Sequence, residues 1–420
     1  MFRFAALPFA LIATSAAAEV WTVVPGPDAE VALQEALILA QPGDEVVLNP
    51  GRYDIRNQLS LANDDVTIRG AGMRRTVLSF AGQTGGSEGI LITGNGAILK
   101  DFAVEDTAGD GIKSKGVDGI AMIRLRVEWT NGPDPENGAY GLYPVQSTNV
   151  LIDGAVVEGA SDAGIYVGQS EHIIVRNSRA EFNVAGLEIE NSYHADVFDN
   201  VLTNNTGGIL VFDLPDLPQQ GGHHVRVFGN QSFANNTPNF APEGNIVGIV
   251  PAGTGMLIMA NSDVEVFENS FSDNRTVNLI FGSYIEASED PEYRPHPSRI
   301  HIHHNTFGAS GMDPDDSEFG NILRGIIGTP IPNIVWDGVM PLGRYLGFGL
   351  EPQNAHSIHD NDHGGQEDYA NADFMGKFGL PPLHSVRRNV GEHSATLDPL
   401  PAAVVTIRGR DVSDALVWSE

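Results

Sequence analysis

A phrase that returns every 22 residues limits this chain's fold more than any other feature. The runs GIYV, GLEI and GILV begin at Gly164, Gly186 and Gly208 and stand in one register. Each run is short and rich in β-branched residues, and Asn/Gly turns separate the runs. A period of about 20 to 30 residues made of short strands and such turns is typical of a solenoid. The sequence therefore predicts a stack of coils, each containing several short strands.

Alternation within the runs predicts which side chains form the core. Successive side chains of a strand point to opposite faces, so the first and third residues after each glycine share one face. A slip of one residue would exchange the two faces. The predicted core residues are Ile165, Val167, Leu187, Ile189, Ile209 and Val211.

The N-terminal stretch has helical periodicity. Its apolar positions fall on one face, with Asp28 as the predicted N-cap and Pro42-Gly43 as the end. Such a helix would cover the open end of a solenoid, where the core is otherwise exposed. The predicted buried face consists of Leu33, Ala36, Leu37 and Ala40.

Asparagines recur in two further series, each once per coil. Asparagine tolerates left-handed backbone and bonds neighbouring backbone groups, which favours a ladder stacked at the turns over a row that binds sugars. The first series is Asn177, Asn200, Asn230, Asn269 and Asn305, and the second is Asn183, Asn204, Asn235 and Asn274.

Several phrases carry a family resemblance. PGDEVVLNPGRY and VTIRGAG resemble the opening coils of right-handed parallel β-helix proteins of the pectin-lyase-like superfamily, and the resemblance covers most of residues 20–310. The runs GAYGLYPVQSTNVLI, DAGIYVGQS and AGLEIENS are most similar to a family of exported parallel β-helix-repeat proteins with no established activity. The resemblance implies an all-β, single-stranded right-handed parallel β-helix with an N-terminal capping helix.

The wider superfamily implies an enzyme acting on uronates or galacturonates. The sequence lacks both the Asp-Pro-His-Asp run of alginate epimerases and the Gly-Asp-Asp of polygalacturonases. Whether the protein is an enzyme is therefore left open by the sequence.

The two ends of the chain predict that the protein is exported and that the chain divides into three segments. Residues 1–18 combine one basic residue, an apolar stretch and a final Ala-Ala-Ala, as expected of a signal peptide. We expect the β-helix over residues 19–310 and an irregular capping and wrapping segment over residues 311–420. There is no cysteine, and no other apolar run approaches the roughly 18 residues of a membrane span. The mature chain is expected to be periplasmic or secreted.

Charge narrows the choice of partner. The formal net charge of −30 counts against nucleic acid, and it disfavours an acidic polysaccharide unless a cation bridges the two. Calcium is one such cation.

The outward side chains of the repeated strand form the candidate site. Insertions at residues 131–139 and 237–254 precede this strand, while those at 213–221 and 283–299 follow it, so they should flank the same face as two walls. We expect a polysaccharide to lie in this groove. The candidate catalytic residues are Tyr143, Tyr166, Glu188 and Glu190, and the candidate substrate-binding residues are Lys113, Lys115, Tyr140, Asp162 and Asp213.

These residue types allow two kinds of chemistry. In a lyase or epimerase, a lysine would neutralise a uronate carboxylate and a tyrosine would act as acid or base. In a glycoside hydrolase, Glu188 and Glu190 would stand about 7 Å apart, within the roughly 6.5 to 9.5 Å range of inverting pairs. As surface residues, Tyr166 and Glu188 should tolerate replacement by alanine at a cost of about 0.5 to 1 kcal/mol.

Histidines form a second constellation and suggest another function. His301 and His303 should share one strand face, with His304 opposite, and the candidate metal ligands are His356, His359 and His363. Copper is the transition metal expected at such a group of histidines. The alternative function is a non-catalytic periplasmic scaffold, or a copper-handling protein that acts with a protein partner.

Overall fold

The computed structural model describes residues 18–285, 290–346, 349–377 and 385–414. Apart from Ala18, the expected signal peptide lies outside the described residues. The strands of the first half are β1 (Val20–Val23), β2 (Glu45–Leu48), β3 (Gly51–Asp54), β4 (Asn57–Leu61), β5 (Thr67–Arg69), β6 (Thr76–Ser79), β7 (Gly85–Ile92), β8 (Ala97–Lys100), β9 (Ala103–Glu105), β10 (Ile112–Lys115), β11 (Asp118–Ile123), β12 (Arg126–Glu128), β13 (Tyr140–Val145), β14 (Thr148–Asp153), β15 (Val156–Glu158), β16 (Ala163–Gly168), β17 (Glu171–Arg176) and β18 (Arg179–Glu181).

The second half continues the same pattern. Its strands are β19 (Ala185–Glu190), β20 (Tyr193–Phe198), β21 (Val201–Thr203), β22 (Gly207–Phe212), β23 (His223–Phe228), β24 (Gln231–Phe233), β25 (Thr254–Met259), β26 (Ser262–Phe267), β27 (Ser270–Ser272), β28 (Val277–Gly282), β29 (Ser298–His303), β30 (Thr306–Phe307), β31 (Ile334–Trp336), β32 (Ser357–His359), β33 (Tyr369–Asn371), β34 (Thr406–Ile407) and β35 (Arg410–Asp411). The α-helices are α1 (Ala29–Leu39), α2 (Glu318–Ile327), α3 (Leu342–Tyr345) and α4 (Phe374–Lys377), and short 3-10 helices span Ile246–Ile249, Pro352–Asn354 and Val390–Glu392.

The strands stack into three long parallel sheets. Sheet A runs β1-β2-β5-β8-β11-β14-β17-β20-β23-β26-β29-β32, sheet B runs β3-β6-β9-β12-β15-β18-β21-β24-β27-β30, and sheet C runs β4-β7-β10-β13-β16-β19-β22-β25-β28-β31-β33. A regular coil takes one strand from each sheet in the order C, A, B, as β13, β14 and β15 do. The predicted fold class, an all-β right-handed parallel β-helix, is confirmed.

The predicted core is also confirmed. Ile165 pairs with Leu187 and Val167 with Ile189 in adjacent coils of sheet C, and the next coil repeats the register. All six predicted core side chains are 0% exposed. Full burial of one such side chain contributes about 1.5 to 3 kcal/mol, so the repeated phrase supplies much of the driving force for stacking.

Helix α1 lies at the N-terminal end of the coils, as expected of a cap. Leu33, Ala36 and Leu37 are buried, and Ala40 just past the helix is buried too. Asp28 is the N-cap residue, as predicted, although its side chain makes no capping hydrogen bond.

The asparagines form buried amide ladders. The Nδ2 atom of Asn230 donates to Oδ1 of Asn269 at 2.9 Å, and Asn269 donates in turn to Asn305 at 3.0 Å. A parallel ladder joins Asn183, Asn205, Asn235 and Asn274. These side chains are buried, so the hypothesis of a sugar-binding row is wrong for the ladder positions. Two asparagines that were predicted as members, Asn177 and Asn204, lie instead at left-handed turn positions beside the ladders.

Past residue 310 the sheets continue and the chain then turns back. Strands β31 and β33 extend sheet C and β32 extends sheet A, with α2 and α3 between them. The last described segment runs along the outer face of sheet A, where Ala403, Val405 and Ile407 pack on outward residues such as Leu151 and Ile174. Sheet A is therefore covered by the chain's own C-terminal part.

Candidate functional site

The outward side chains of sheet C stack in the predicted order. Lys113 pairs with Tyr143, Tyr166 with Glu188, and Gly168 with Glu190. In the following coil, apolar residues replace the polar ones, since Glu188 pairs with Leu210 and Glu190 with Phe212. The polar face therefore ends at Glu188 and Glu190.

The expectation that these residues are exposed is wrong. Tyr166 is 3% exposed, Glu188 1%, Glu190 7% and Asp162 5%. The insertion at residues 237–254 folds over this face, where Val247 and Val250 pack in the same apolar cluster as Tyr166. The site is therefore a covered one beneath a loop, and the mild cost expected for replacing Tyr166 or Glu188 does not apply.

A hydrogen bond from Asn245 ties the middle of the covering loop to the scaffold. Asn245 Nδ2 donates to Asp162 Oδ2 at 3.2 Å, and the hydroxyl of Tyr140 donates to the same oxygen at 3.4 Å. Burial first, and the charge of Glu190 second, raise the pKa of Asp162 to about 7. Asp162 therefore joins the loop to the tyrosines and changes its charge near neutral pH.

Three tyrosine rings form a compact group beside the carboxylates. The ring centroid of Tyr140 lies 4.4 Å from that of Tyr143 and 4.5 Å from that of Tyr166. Burial raises the pKa of all three hydroxyls. At neutral pH they are uncharged hydrogen-bond donors rather than bases.

The predicted lysines do not face an open site. Lys113 Nζ lies 3.2 Å from Glu88 Oε1, 3.3 Å from Asp110 Oδ2 and 4.6 Å from the centre of the Tyr143 ring. Its charge is thus balanced by two carboxylates, while Lys115 is exposed. Neither arrangement suits a lysine that must neutralise a bound uronate.

The Tyr166 side chain lies along its strand and reaches Glu190. Its hydroxyl donates to Glu190 Oε1 at 2.7 Å. The ring crosses Gly168, where an added Cβ would stand 2.2 Å from the Tyr166 oxygen. Gly168 therefore gives Tyr166 the space to reach the carboxylate.

Glu188 is the most unusual group of the site. Both carboxyl oxygens are buried without a hydrogen-bond partner. Burial raises its pKa well above 4.5, and the nearby Glu190 and Asp162 add to the effect. These surroundings therefore favour the protonated form of Glu188, and burial also raises the pKa of Glu190.

Asp213 holds a loop in place. Its Oδ1 accepts a hydrogen bond from the Gly222 amide at 2.7 Å, which closes the insertion at residues 213–221. Burial raises its pKa to about 6.

An open cleft of 840 Å³ borders Glu190. One wall is formed by residues 214–217 and the other by the loop around residues 239–249, with Tyr284 at one end. The acidic lining residues are Glu190, Asp216 and Glu243, and no lysine or arginine occurs among the described lining residues. Tyr166 and Glu188 lie next to this cleft, beneath its surface.

The predicted metal-binding histidines lie in three different surroundings. His356 is buried between the rings of Phe281, Trp336 and His393, and burial lowers its pKa to about 3. His363 stacks on Phe307. His359 lies beside another histidine of the strand face, with its Nε2 atom 3.1 Å from Nε2 of His301.

His301 and His303 share the outward face of sheet A, as predicted, and Glu265 joins them there. His304 instead occupies a left-handed turn position, with its Nδ1 atom 2.8 Å from Nδ1 of His303. Sequence reasoning missed Glu265, although its position directly opposite His301 in the asparagine-anchored register would have indicated it.

The fold and the sequence comparisons define the class. Residues 63–216 match the model of the right-handed β-helix region, and the three stacked parallel sheets form a right-handed parallel β-helix. No curated protein matches the sequence. In the described residues, no helix is long and apolar enough to cross a membrane.

Solved structures of similar fold act on polysaccharides according to their titles. The mannuronan C-5 epimerase AlgE4 A-module of Azotobacter vinelandii has a TM-score of 0.54 and 16% identity, over 80% of this chain and 91% of that one. The AlgE6 A-module of the same organism has a TM-score of 0.45 and 16% identity, over 82% and 94%. An alginate lyase from Paenibacillus sp. has a TM-score of 0.39 and 13% identity, over 84% and 97%. At these identities the likeness concerns the fold.

Proposed function

We propose that this protein is an exported carbohydrate-active protein that binds a polysaccharide in the cleft beside Glu190. The observation that carries the proposal is the cleft itself, an open space of 840 Å³ with a buried tyrosine–carboxylate pair at its edge. Concave sites with a few convergent polar groups on a rigid scaffold are where ligands bind. The epimerase and lyase titles of similarly folded proteins support a glycan as the ligand class.

The charge of the cleft favours a glycan without carboxylates. Its lining carries Glu190, Asp216 and Glu243. Of the two predicted lysines, Lys113 is already paired with Glu88 and Asp110. A uronate chain would therefore meet like charge from the acidic lining, whereas neutral or amino sugars would not.

If the protein is catalytic, the carboxyl groups favour hydrolysis over uronate elimination. Burial favours the protonated form of Glu188 by raising its pKa, and Glu190 accepts a hydrogen bond from Tyr166, so the pair offers an acid and a potential base. Glycoside hydrolysis uses two carboxyl groups in these two roles. Elimination would need a free cation at the uronate, and Lys113 does not supply one.

Binding and degradation assays with a panel of neutral, amino-bearing and uronate polysaccharides test this proposal. We expect binding of a neutral or amino-bearing chain, weakened at least about tenfold in Glu190→Gln and in Tyr166→Phe. Glu35→Gln, on the exposed side of α1, is the matched control and should bind normally. Absence of binding to every polysaccharide in the panel, with and without calcium, would exclude the proposed function.

A further inference from the structure

Four titratable side chains converge on the outer face of sheet A, away from the cleft on sheet C. Glu265 on β26 pairs with His301 on β29, and His303 pairs with His359 on β32. Glu265 is 2% exposed and His301 7%. Adjacent coils thus bring one carboxylate and three imidazoles together within a mostly buried patch.

Three of these side chains have the spacing of metal ligands. Glu265 Oε1 lies 3.2 Å from His303 Nε2 and 3.7 Å from His301 Nδ1, and one ligand atom from each residue lies within 4.8 Å of the others. Two ligand atoms bound at about 2.0 to 2.1 Å to a tetrahedral ion stand roughly 3.3 Å apart. Small side-chain adjustments would therefore let all three reach one ion.

Counting protons shows that the cluster lacks one positive charge. A line of contacts runs from Glu265 to His301 Nδ1, from His301 Nε2 to His359 Nε2 at 3.1 Å, and from His359 Nδ1 to Asp360 Oδ2 at 3.0 Å. Each of these three contacts needs a proton or a cation between its two acceptors. Two neutral imidazoles supply only two protons.

The unfilled contact falls between Glu265 and His301. If His359 donates to Asp360 and His301 donates to His359, the buried Nδ1 atom of His301 is left facing a carboxylate, and this atom has no hydrogen-bond partner. Arg226, opposite Glu265 in the preceding coil, does not fill the gap, because its guanidinium lies 3.2 Å from Asp196. A metal ion at this point would satisfy every contact.

The remaining contacts hold the ligands in position. The Leu400 amide donates to Glu265 Oε2 at 2.9 Å and leaves Oε1 toward the histidines. His303 Nδ1 lies 2.8 Å from His304 Nδ1, so its Nε2 atom is directed to the site. Hydrogen bonds from the far side of ligating residues are what orient metal ligands in proteins.

We propose that Glu265 Oε1, His301 Nδ1 and His303 Nε2 bind a divalent transition metal ion, with His359 and Asp360 as positioning residues. Two imidazoles and one carboxylate suit zinc or copper, whereas calcium prefers oxygen ligands alone. Three protein ligands leave a fourth position for water or another small ligand. His359 is partly exposed and borders a second cleft of 340 Å³ with residues 390–397, which gives a route to the site.

Titration of the full chain with Zn²⁺, Cu²⁺ or Ca²⁺ by calorimetry, and with Co²⁺ by absorption spectroscopy, tests the site. We expect one Zn²⁺ or Cu²⁺ per chain, no Ca²⁺ at this site, and the intense visible bands of four-coordinate Co²⁺. Glu265→Gln and His303→Ala should each weaken binding more than about tenfold and remove these bands. His359→Ala should weaken binding less and alter the bands, because it acts through His301.

The matched control is His194→Ala. His194 belongs to a separate stack of histidines on the surface, where its ring lies 5.4 Å from that of His172 and 5.1 Å from that of His224. This variant should bind metal as the unmodified protein does. The proposal is overturned if no stoichiometric binding occurs, if the ligand variants bind normally, or if His194→Ala abolishes binding. Should one ligand variant fail to fold, the other variants decide by the same criteria.

Discussion

The hydroxyl of Tyr166 donates a 2.7 Å hydrogen bond to Glu190 while its ring passes over the bare Cα of Gly168. This contact joins two adjacent coils and places a neutral donor on the carboxylate that borders the cleft. It depends on three residue types at once, a tyrosine, a glycine and a glutamate.

Gly168→Ala should break this contact. The new Cβ would stand 2.2 Å from the Tyr166 oxygen and 2.4 Å from a ring carbon, so the ring must move. We expect a loss of about 1 to 3 kcal/mol in the free energy of unfolding, measured by chemical denaturation, together with weaker glycan binding. Gly82→Ala is the matched control, since nothing lies within 4 Å of its added Cβ. Equal stability of the two variants would contradict the described position of Tyr166.

Glu188→Leu should stabilise the protein at neutral and alkaline pH. The Glu188 carboxyl is buried without hydrogen bonds, and its neighbour in the next coil is Leu210. Replacing an unsatisfied buried polar group by an apolar one of similar size should raise the free energy of unfolding by about 1 to 3 kcal/mol. The gain should be larger at pH 8 than at pH 5. At pH 5 the unfolded state also binds this proton in part, so the folded and unfolded states differ less in proton binding. A loss of stability at both pH values would refute this prediction.

Asp162→Asn should change how stability depends on pH. The pKa of Asp162 is raised by burial from 3.8 to about 7, so between these pH values the folded state keeps a proton that the unfolded state has lost. This group therefore makes stability fall as pH rises from about 4 to about 7. Relative to the unmodified protein, Asp162→Asn should gain stability across this range and no further above it. Denaturation curves at several pH values measure the difference, and exposed Asp398→Asn should show no such trend.

Asn230→Ala should be far more costly than a change at the neighbouring turn. Asn230 accepts from Asn200 and donates to Asn269 inside the buried ladder. Its removal leaves buried partners unpaired, which costs about 1 to 3 kcal/mol for each group. The control Asn204→Gly changes a half-buried left-handed position that glycine adopts readily. Thermal unfolding should separate the two variants clearly, and similar melting temperatures would show that the ladder is not stabilising.

The sequence identified the order of the site residues but not their environment. Alternation and the 22-residue register correctly placed Tyr166 beside Glu188 and Gly168 beside Glu190. The same pattern suggested an exposed face, because nothing in it describes how an aperiodic insertion folds. The loop covers the face through contacts such as Asn245 with Asp162, which are 83 residues apart.

The sequence alone therefore predicts the structural features that repeat from coil to coil. The inward and outward faces, the sheet register and most of the ladder asparagines follow from alternation and turn chemistry, which act between near neighbours or between identical places in successive coils. Only the tertiary structure decided the burial of Glu188, the cleft beside Glu190 and the meeting of Glu265 with His301 and His303. Each depends on residues brought together across loops of unequal length, as when Glu265 meets His303 at a separation of 38 residues and His301 meets His359 at 58. Local periodicity does not determine the path of such loops, because the loops fold by packing against the coils.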